Sequence, residues 1–264
     1  MCRWAAYLGN PIFLSEIVCD PTHSLIEQSR DASECKTRTN ADGFGLAWYD
    51  ARPEPGLYRD VFPAWSDPNL RALASQVRSG LFLSHIRAST GTAISRNNCH
   101  PFAVSNWSFM HNGQIGGFER FRKQADMLIP DALYADRKGA TDSEVLFLLA
   151  LAHGVQNNPL LGLEMSVSAL EALSRDRGCG PHMRVAAAMS DGSSLYALRY
   201  ASDARAPSLY YRWSNKTQGW MVVSEPLERE QTGWIEVPPG SFCTFKGKEV
   251  SVAPFLSQEK PLAA

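Results

Sequence analysis

Residues 142–152 read DSEVLFLLALA, and residues 159–174 read PLLGLEMSVSALEALS. Apolar side chains recur in both stretches at helical spacing, which predicts helices at Asp142–Ala152 and Pro159–Ser174. Short apolar or alternating segments, which are typical of strands, lie both before and after this central pair. Strands on both sides of a helical pair favour an α+β fold, with two antiparallel sheets and helices outside them, over a doubly wound parallel sheet.

The rest of the chain supplies the other elements of this fold. Three further helices are predicted at Ser24–Arg30, Asn69–Val77 and Gly117–Leu128. Turn residues such as Asp191-Gly192 and Lys246-Gly247 separate several of the strands, as hairpins require. The strand pattern is present at Arg3–Leu8, Phe44–Tyr49, Leu81–Ile86, Trp107–Met110, Arg184–Met189, Leu195–Tyr200, Leu209–Trp213, Trp220–Val223, Phe242–Phe245 and Glu249–Val252.

Composition and charge narrow the class of protein. With 44% hydrophobic and 20% charged residues, the 264-residue chain has a globular composition. Its 26 Lys and Arg against 27 Asp and Glu provide no field of one sign, which argues against nucleic-acid or membrane-surface binding. No composition shift or internal repeat divides the chain, and Ala51–Gly56 is predicted to be a loop. We expect a single domain over residues 2–264.

No targeting or membrane segment is predicted. The longest apolar stretch, Val145–Ala152, is eight residues long, whereas a membrane-spanning helix needs about twenty. Gly9, Asn10 and Pro11 interrupt the apolar residues near the start of the chain, where a signal peptide would be continuous. We therefore expect a protein of the reducing cytosol.

The sequence separations between the six cysteines are long and irregular, which argues against a disulfide framework. No CxxC pair or His-rich tract offers zinc spacing, so no metal is expected. We interpret most of the cysteines as small buried apolar residues. The exception is Cys2, and the full set is Cys2, Cys19, Cys35, Cys99, Cys179 and Cys243.

Cys2 follows the initiator Met1, which processing usually removes when a small residue comes next. The mature chain would then carry a thiol and a free α-amine on one residue. An α-amine has an unperturbed pKa of about 7.7–8.0, so roughly a tenth to a sixth of it is unprotonated at pH 7 and can accept the thiol proton. The alternative is that position 2 merely tolerates cysteine.

A second candidate segment is Ser84–Thr90, SHIRAST, at the end of an apolar strand. Arg87 stands where this strand opens into a polar loop, and its planar guanidinium could bind a carboxylate there. The alternative is a structural ion pair with a buried acid.

A third segment, Met110-His111-Asn112-Gly113, reads as a strand followed by a turn, because Asn-Gly is a common hairpin turn. Its functional interpretation is an oxyanion hole, since the Asn112 amide and the Gly113 N–H can converge on one point. A fourth segment, Thr141–Glu144, fits a helix start with Thr141 or Asp142 as the cap. The Asp142 carboxylate could also hold a substrate ammonium group.

The order of these four segments resembles the class II glutamine amidotransferases, which belong to the N-terminal-nucleophile hydrolases. The Cys-Arg-Trp opening is most similar to stand-alone members such as the γ-glutamyl hydrolases of ergothioneine biosynthesis. Further matching segments are Cys2-Arg3-Trp4 with Tyr7 and Gly9, Asn40–Gly45, Asn98 with His100-Pro101-Phe102, His23-Ser24-Leu25 and Ser224-Glu225-Pro226-Leu227.

The resemblance implies a four-layer αββα sandwich and a role for each candidate residue. Cys2 would be the nucleophile and its α-amine the base. Asn112 and the Gly113 N–H would form the oxyanion hole. The glutamyl substrate would be held by Arg87 at its α-carboxylate, with Ser89 and Thr90 lining that pocket, and by Asp142 at its α-ammonium. Hydrolysis would proceed through a γ-glutamyl thioester, without a cofactor.

The sequence departs from amidotransferases with fused synthase domains, which often have Ala and His where this chain has Ser89 and Gly91. No Gly-rich phosphate loop is present either. We therefore expect a stand-alone hydrolase of a small γ-glutamyl amide, whose amine specificity depends on loops near Arg3, Trp4 and Asn40–Gly45.

Three alternatives stay open at this point. The chain could be a glutaminase subunit that delivers ammonia to a separate synthetase chain, or a non-catalytic binding module on the same fold. It could also be a Cys–His hydrolase built on Cys99-His100 or His111. The adjacency of Cys99 and His100 argues against the last, because neighbouring residues of a strand face opposite ways. We expect His85 and His111 to be structural.

Overall fold

A computed structural model describes residues 2–33, 39–89, 91–228, 230 and 232–256. Thirteen strands are found in this part of the chain, and they form two sheets in which every pairing is antiparallel. The strands are β1 (Arg3–Phe13), β2 (Phe44–Tyr49), β3 (Gly56–Asp60), β4 (Arg78–Ile86), β5 (Phe102–Val104), β6 (Trp107–Ile115), β7 (Met183–Ser190), β8 (Leu195–Ala201), β9 (Tyr210–Ser214), β10 (Gly219–Val223), β11 (Ile235–Glu236), β12 (Ser241–Lys246) and β13 (Glu249–Pro254).

The order of strands is β11-β9-β10-β1-β4-β2-β3 in the seven-stranded sheet and β13-β12-β8-β7-β6-β5 in the six-stranded sheet. The helices are α1 (Ser15–Val18), α2 (Leu25–Arg30), α3 (Pro68–Gln76), α4 (Phe118–Asp126), α5 (Asp131–Tyr134), α6 (Asp142–Ala152) and α7 (Pro159–Asp176). Short 3₁₀ turns lie at Ala64–Ser66 and Arg96–Asn98. In the described residues no helix is both long and apolar enough to cross a membrane.

The alternation of side chains along β1 shows how the layers stack. Trp4 and Ala6 belong to an apolar cluster shared with the six-stranded sheet, so they face the space between the sheets. Ala5 and Tyr7 belong to a second cluster with residues of α1, α2 and α3, on the outer face of the seven-stranded sheet. A third cluster joins the six-stranded sheet to α4, α6 and α7. The result is the expected four-layer αββα sandwich.

The continuous apolar run of α6 follows from its position. Every residue from Ser143 to Leu151 is buried, because this helix lies between the six-stranded sheet and α7. Thr141 caps its start by accepting a hydrogen bond from the Glu144 N–H at 3.2 Å. Asn158 caps α7 in the same way, accepting from the Leu161 N–H at 3.1 Å.

All ten predicted strands and all five predicted helices are present, most of them with ends shifted by a few residues. The predicted loop at Ala51–Gly56 ends where β3 begins. The strands β3, β5 and β11 and the helices α1 and α5 were not predicted, since elements of two to five residues carry too little periodicity.

Candidate active site

Cys2 lies directly before β1, beside the end of β4. The pairing of Arg3 with Ile86 places Cys2 next to the residues that follow β4. Its Sγ lies 3.4 Å from the amide N of Ala88 and 3.5 Å from the carbonyl O of the same residue. Side-chain alternation puts Cys2 on the same face as Trp4, so its thiol faces the space between the sheets.

Trp4 ties this end of β1 to the opposite sheet. Its indole Nε1 donates a hydrogen bond to the carbonyl O of Ala186 at 3.1 Å. Ala186, on β7, is paired with Asn112 of β6. The thiol of Cys2 and the amide of Asn112 are therefore brought to the same end of the space between the sheets.

Asn112 points into that space because it shares a face of β6 with Met110, which belongs to the cluster between the sheets. The side chain is only 1% exposed, and neither its Oδ1 nor its Nδ2 has a hydrogen-bond partner among the described residues. Leaving a buried polar group unpaired costs about 1–3 kcal/mol. An unpaired amide in this position is suited to forming a hydrogen bond with a bound ligand.

The predicted turn at Asn112-Gly113 is wrong. Both residues lie inside β6, which continues to Ile115, and Gly113 pairs with Val185. The glycine is required for a different reason: its φ is +153°, and a Cβ there would lie 1.8 Å from the carbonyl O of Arg184. The Asn-Gly pair thus marks a close approach of two strands, and the hairpin alternative does not apply.

Arg87 follows β4 and faces the same space as His85 and Leu83, by alternation along the strand. The residue is 3% exposed, and its guanidinium donates to the Asp42 carbonyl O at 3.2 Å, the Ser89 Oγ at 3.1 Å and the Thr92 Oγ1 at 2.7 Å. No carboxylate of the described residues lies within ion-pair distance of it. The structural ion pair considered for Arg87 is therefore not formed in this part of the chain.

We call the space faced by Cys2, Arg87 and Asn112 the inter-sheet site. The loop after Arg87 closes one side of it: the Ser89 N–H donates to Asp42 Oδ2 at 2.7 Å, and the Ser89 hydroxyl donates to the Thr92 carbonyl O at 2.7 Å. Ser89 therefore lies beside Arg87 as expected. Thr90 and Met1 lie outside the described residues.

Asp142 begins α6, and its side chain reaches the end of the strand that carries Asn112. One oxygen, Oδ2, accepts a hydrogen bond from the Ile115 N–H at 2.9 Å, and Oδ1 accepts one from the Ser143 N–H at 2.8 Å. The predicted helix start is confirmed. The Asp142 carboxylate therefore lies at the end of β6 that follows Asn112.

Two buried histidines, His85 and His100, lie beside the inter-sheet site, and a third, His111, lies on the face of β6 opposite to Asn112, against α6. The His85 Nε2 lies 3.2 Å from the carbonyl O of His111, and the His85 ring lies 4.3 Å from the ring of His100. Burial lowers the pKa of His85 to about 3 and the pKa of His100 well below its ordinary value. Burial also lowers the pKa of His111, whose Nδ1 lies 2.8 Å from the Ser143 hydroxyl. These imidazoles are neutral at pH 7.

The Cys–His alternative finds no support in these positions. Cys99 and His100 lie in the loop before β5 and not on a strand, so the alternation argument used against them was wrong. The Cys99 thiol instead contacts the carbonyl O atoms of Asp60 at 3.4 Å and Ser95 at 3.5 Å. Burial raises the pKa of this thiol to about 11, which makes it a poor nucleophile.

Two features of the site were not found from the sequence. One is the Ala88 backbone at the thiol, which carries no side-chain signal. The other is Arg3: it is fully buried on the outer face of β1, away from the inter-sheet site, where Glu225 pairs with it. The Arg3 side chain therefore does not face the inter-sheet site, and the prediction that the loops near Arg3, Trp4 and Asn40–Gly45 set the amine specificity stays a prediction. In the described residues, no group of three or more His, Cys, Asp or Glu side chains could hold a metal ion.

Comparisons with known proteins identify the family of this chain. Residues 15–211 match the sequence profile of the glutamine amidotransferases class-II. The probable glutamine amidotransferase DUG3 of Saccharomyces cerevisiae is 31% identical, over 99% of this chain and 87% of the yeast protein. The γ-glutamyl-hercynylcysteine sulfoxide hydrolase of Mycolicibacterium smegmatis is 25% identical, over 96% of this chain and all of its own length.

Two solved structures are also similar. A glutamine aminotransferase class-II domain protein from Silicibacter pomeroyi is 52% identical, with a TM-score of 0.79, over 97% of this chain and 100% of that chain. The glutamine phosphoribosylpyrophosphate amidotransferase of B. subtilis is 15% identical, with a TM-score of 0.64, over 96% of this chain and 49% of that chain. The second likeness is one of fold alone.

Proposed function

The chain belongs to the class II glutamine amidotransferases, and from this membership we propose that it hydrolyses a γ-glutamyl amide with an N-terminal cysteine. The substrate is glutamine or a γ-glutamyl conjugate, and the products are glutamate and ammonia or an amine. The observation that carries the proposal is the buried Arg87 guanidinium in the inter-sheet site, which has only neutral hydrogen-bond partners in the described chain. A buried cation of this kind is suited to binding an anionic group of a ligand.

The nucleophile in this proposal is Cys2, after removal of Met1. Its α-amine is the base, since an amine of ordinary pKa is partly unprotonated at pH 7. The position of the thiol supports this role, because the Ala88 N–H at 3.4 Å from Sγ can donate a hydrogen bond to a thiolate. Such a bond favours the charged form of the sulfur.

The substrate is held by the two charged groups on the Cα of its glutamyl half. Arg87 binds the α-carboxylate, in a pocket beside Ser89, and Asp142 binds the α-ammonium. Arg87 is fixed in place by the hydroxyls of Ser89 and Thr92, so its charge needs little reorganisation on binding. Both charged groups are attached to Cα, and the two methylene groups that follow Cα extend the γ-carbonyl toward the thiol.

Turnover then takes two steps. The α-amine of Cys2 takes the proton of the Cys2 thiol, and the sulfur attacks the γ-carbonyl carbon of the substrate. The resulting oxyanion is stabilised by the Asn112 amide and the Gly113 N–H. The α-ammonium of Cys2 returns its proton to the leaving nitrogen of the substrate as the C–N bond breaks. This step leaves a γ-glutamyl thioester on Cys2. Water, deprotonated by the same amine, attacks the thioester; the C–S bond breaks and glutamate is released.

A glutamate-release assay on purified protein of known intact mass tests this function. The panel is glutamine, glutathione, γ-glutamyl amines and γ-glutamyl thioether conjugates. We expect release of glutamate from at least one of them by protein that lacks Met1. No release from any substrate by correctly processed protein would contradict the proposal, and release that appears only with an added synthetase chain would favour the glutaminase-subunit alternative.

A further inference from the structure

A buried ion-pair network lies directly behind Cys2, on the outer face of β1. It consists of Arg3, His23 and Glu225, and we call it the Arg3 network. The exposed fractions of these residues are 0%, 7% and 2%. Because Cys2 and Arg3 are adjacent and face opposite sides of the strand, the network is separated from the inter-sheet site only by the backbone of β1.

Arg3 connects this network to Cys2. Its Nε lies 2.7 Å from Glu225 Oε2, and its NH1 donates a hydrogen bond to the carbonyl O of Cys2 at 3.0 Å. The sheet pairing of β1 begins at Arg3, so Cys2 itself lies beyond the ladder. The guanidinium therefore holds the Cys2 carbonyl at the point where strand pairing no longer does.

Glu225 is fixed from several directions, which makes it a rigid anchor for Arg3. Its Oε1 lies 2.6 Å from the His23 Nε2 and accepts a hydrogen bond from the Ser33 N–H at 2.8 Å. Gln28 donates to the carbonyl O atoms of both His23 at 2.9 Å and Glu225 at 3.3 Å. The guanidinium is thus aligned by a carboxylate that has little freedom to move.

Stability alone is a weak reason for such a network. Two charges taken out of water lose several kcal/mol of hydration each, and buried ion pairs can often be replaced by apolar residues without loss of stability. A guanidinium offers something that an apolar side chain does not: a planar fork that can hold a carboxylate with one donor and a carbonyl with another. Here that second acceptor belongs to the proposed nucleophile.

We propose that the Arg3 network is a positioning device for the N-terminal residue. Arg3, aligned by Glu225 and His23, holds the Cys2 carbonyl and thereby fixes the direction of the thiol and the α-amine. The inference rests on the proposed function, because it assigns a role to the network only if Cys2 is the nucleophile. Arg3, His23 and Glu225 are positioning residues and do not touch the substrate.

A double-mutant cycle separates positioning from stability. Arg3→Met and Glu225→Gln each leave one buried charge unpaired, and we expect both variants to lose thermal stability and kcat. The double variant Arg3→Met/Glu225→Gln removes both charges and keeps an acceptor for the Ser33 N–H, so its melting temperature should recover. Its kcat should stay at least about tenfold below wild type, with KM little changed, because the Cys2 carbonyl is no longer held. Recovery of kcat together with stability would overturn the proposal.

If the double variant does not fold, Arg3→Lys tests whether Arg3 positions Cys2. It keeps the charge but loses the fork, so the folded variant should have a reduced kcat and an unchanged KM. A folded Arg3→Lys protein with the kcat of wild type would contradict the proposal. The matched control is Arg199→Lys, another buried arginine, whose partners Glu236, Pro207 and Val237 include none of the residues proposed to bind or cleave the substrate. This variant should lose stability and keep kcat.

The failure of this inference can be told apart from the failure of the proposed function. If Cys2→Ala retains activity, the proposed function fails, whatever the Arg3 variants do. If Cys2→Ala is inactive while the double variant and Arg3→Lys turn over normally, only the positioning role fails.

Discussion

Arg3 and Arg87 are buried arginines at the same end of two neighbouring strands, yet their surroundings differ. Arg3 is on the outer face of β1 and pairs with the carboxylate of Glu225 at 2.7 Å. Arg87 follows β4 on the inner face and donates to carbonyl and hydroxyl oxygens only. The charge of Arg3 has a carboxylate partner within the chain, whereas no carboxylate of the described residues lies within ion-pair distance, 4.0 Å, of the Arg87 guanidinium.

The difference indicates which face of this sheet binds a ligand. A buried cation without a counter-ion is unfavourable unless an anion arrives, so the inner face is suited to a carboxylate substrate. Asn112 shows the same feature on the opposite sheet, since its buried amide also lacks a partner in the described chain. On the outer face of β1, by contrast, the buried arginine already has a carboxylate partner in Glu225.

The largest expected effect is that of Cys2→Ala, which removes the residue between the two arginines. We expect the variant to fold with both arginine environments intact and to release no glutamate, because the attacking sulfur is gone. Glutamate release and the melting temperature are the measurements. The control is Cys179→Ala, which removes a partly buried thiol elsewhere and should keep full activity. Full activity of Cys2→Ala would move the chemistry to another residue.

Asn112→Ala should lower kcat by about a hundredfold to a thousandfold, the usual cost of losing one oxyanion donor. Its melting temperature should change little, because the amide that is removed has no partner to lose. The contrasting variant is Asn98→Ala. Asn98 is equally buried, but it donates to the Ala93 carbonyl O at 2.8 Å and accepts from the Ala140 N–H at 2.7 Å. It should lose about 1–3 kcal/mol of stability. If Asn112→Ala shows only that kind of stability loss, the amide is structural.

Arg87→Lys tests whether Arg87, the arginine without a carboxylate partner in the described residues, binds the substrate carboxylate. A point charge cannot replace a two-pronged contact, so KM should rise about tenfold while kcat changes less. Steady-state kinetics on the best substrate measure both constants. Arg71→Lys, at an exposed position of α3, should leave both unchanged. Unchanged kinetics for Arg87→Lys would remove Arg87 from the substrate pocket.

A smaller effect is expected in the pH dependence of stability. His85 has a folded-state pKa of about 3, because burial disfavours its charged form, whereas the unfolded chain takes up a proton near pH 6.5. Between these values the unfolded state binds more protons, so stability falls as the pH is lowered, by up to about 1.4 kcal/mol per pH unit for one such group. Urea unfolding at pH 7.5, 6 and 5 measures this slope. His85→Gln should make the slope shallower; an identical slope would show that His85 does not contribute.

Much of the fold could be predicted because it is encoded in local patterns. The alternation in Arg3–Leu8 and the apolar run at Val145–Ala152 each extend over enough residues to indicate an element and its buried face. The position of the two central helices between groups of strands favoured two antiparallel sheets with helices outside them, but the four-layer order came only from the resemblance to the class II glutamine amidotransferases. By contrast, β5 and β11 have three and two residues, and such short strands form only because longer neighbours pair with them.

The site could be predicted in its residue types but not in its contacts. Asn112-Gly113 was assigned to a turn because local chemistry favours one, and only the approach of the Arg184 carbonyl explains the glycine. The Arg3 network is similarly built from residues that are distant in the sequence, since Glu225 lies 202 residues after His23. Periodicity reports which side of an element is buried, and it carries no information on which distant group lies there.

Covalent labelling followed by mass spectrometry tests the central claim most directly. Active wild-type protein is treated with a glutamine-like electrophile, digested, and searched for the modified residue. The account predicts one adduct, on the Sγ of Cys2 in a chain that lacks Met1, together with loss of glutamate release in proportion to labelling. Full inactivation with the adduct on another residue, or an active protein that retains Met1, would contradict it.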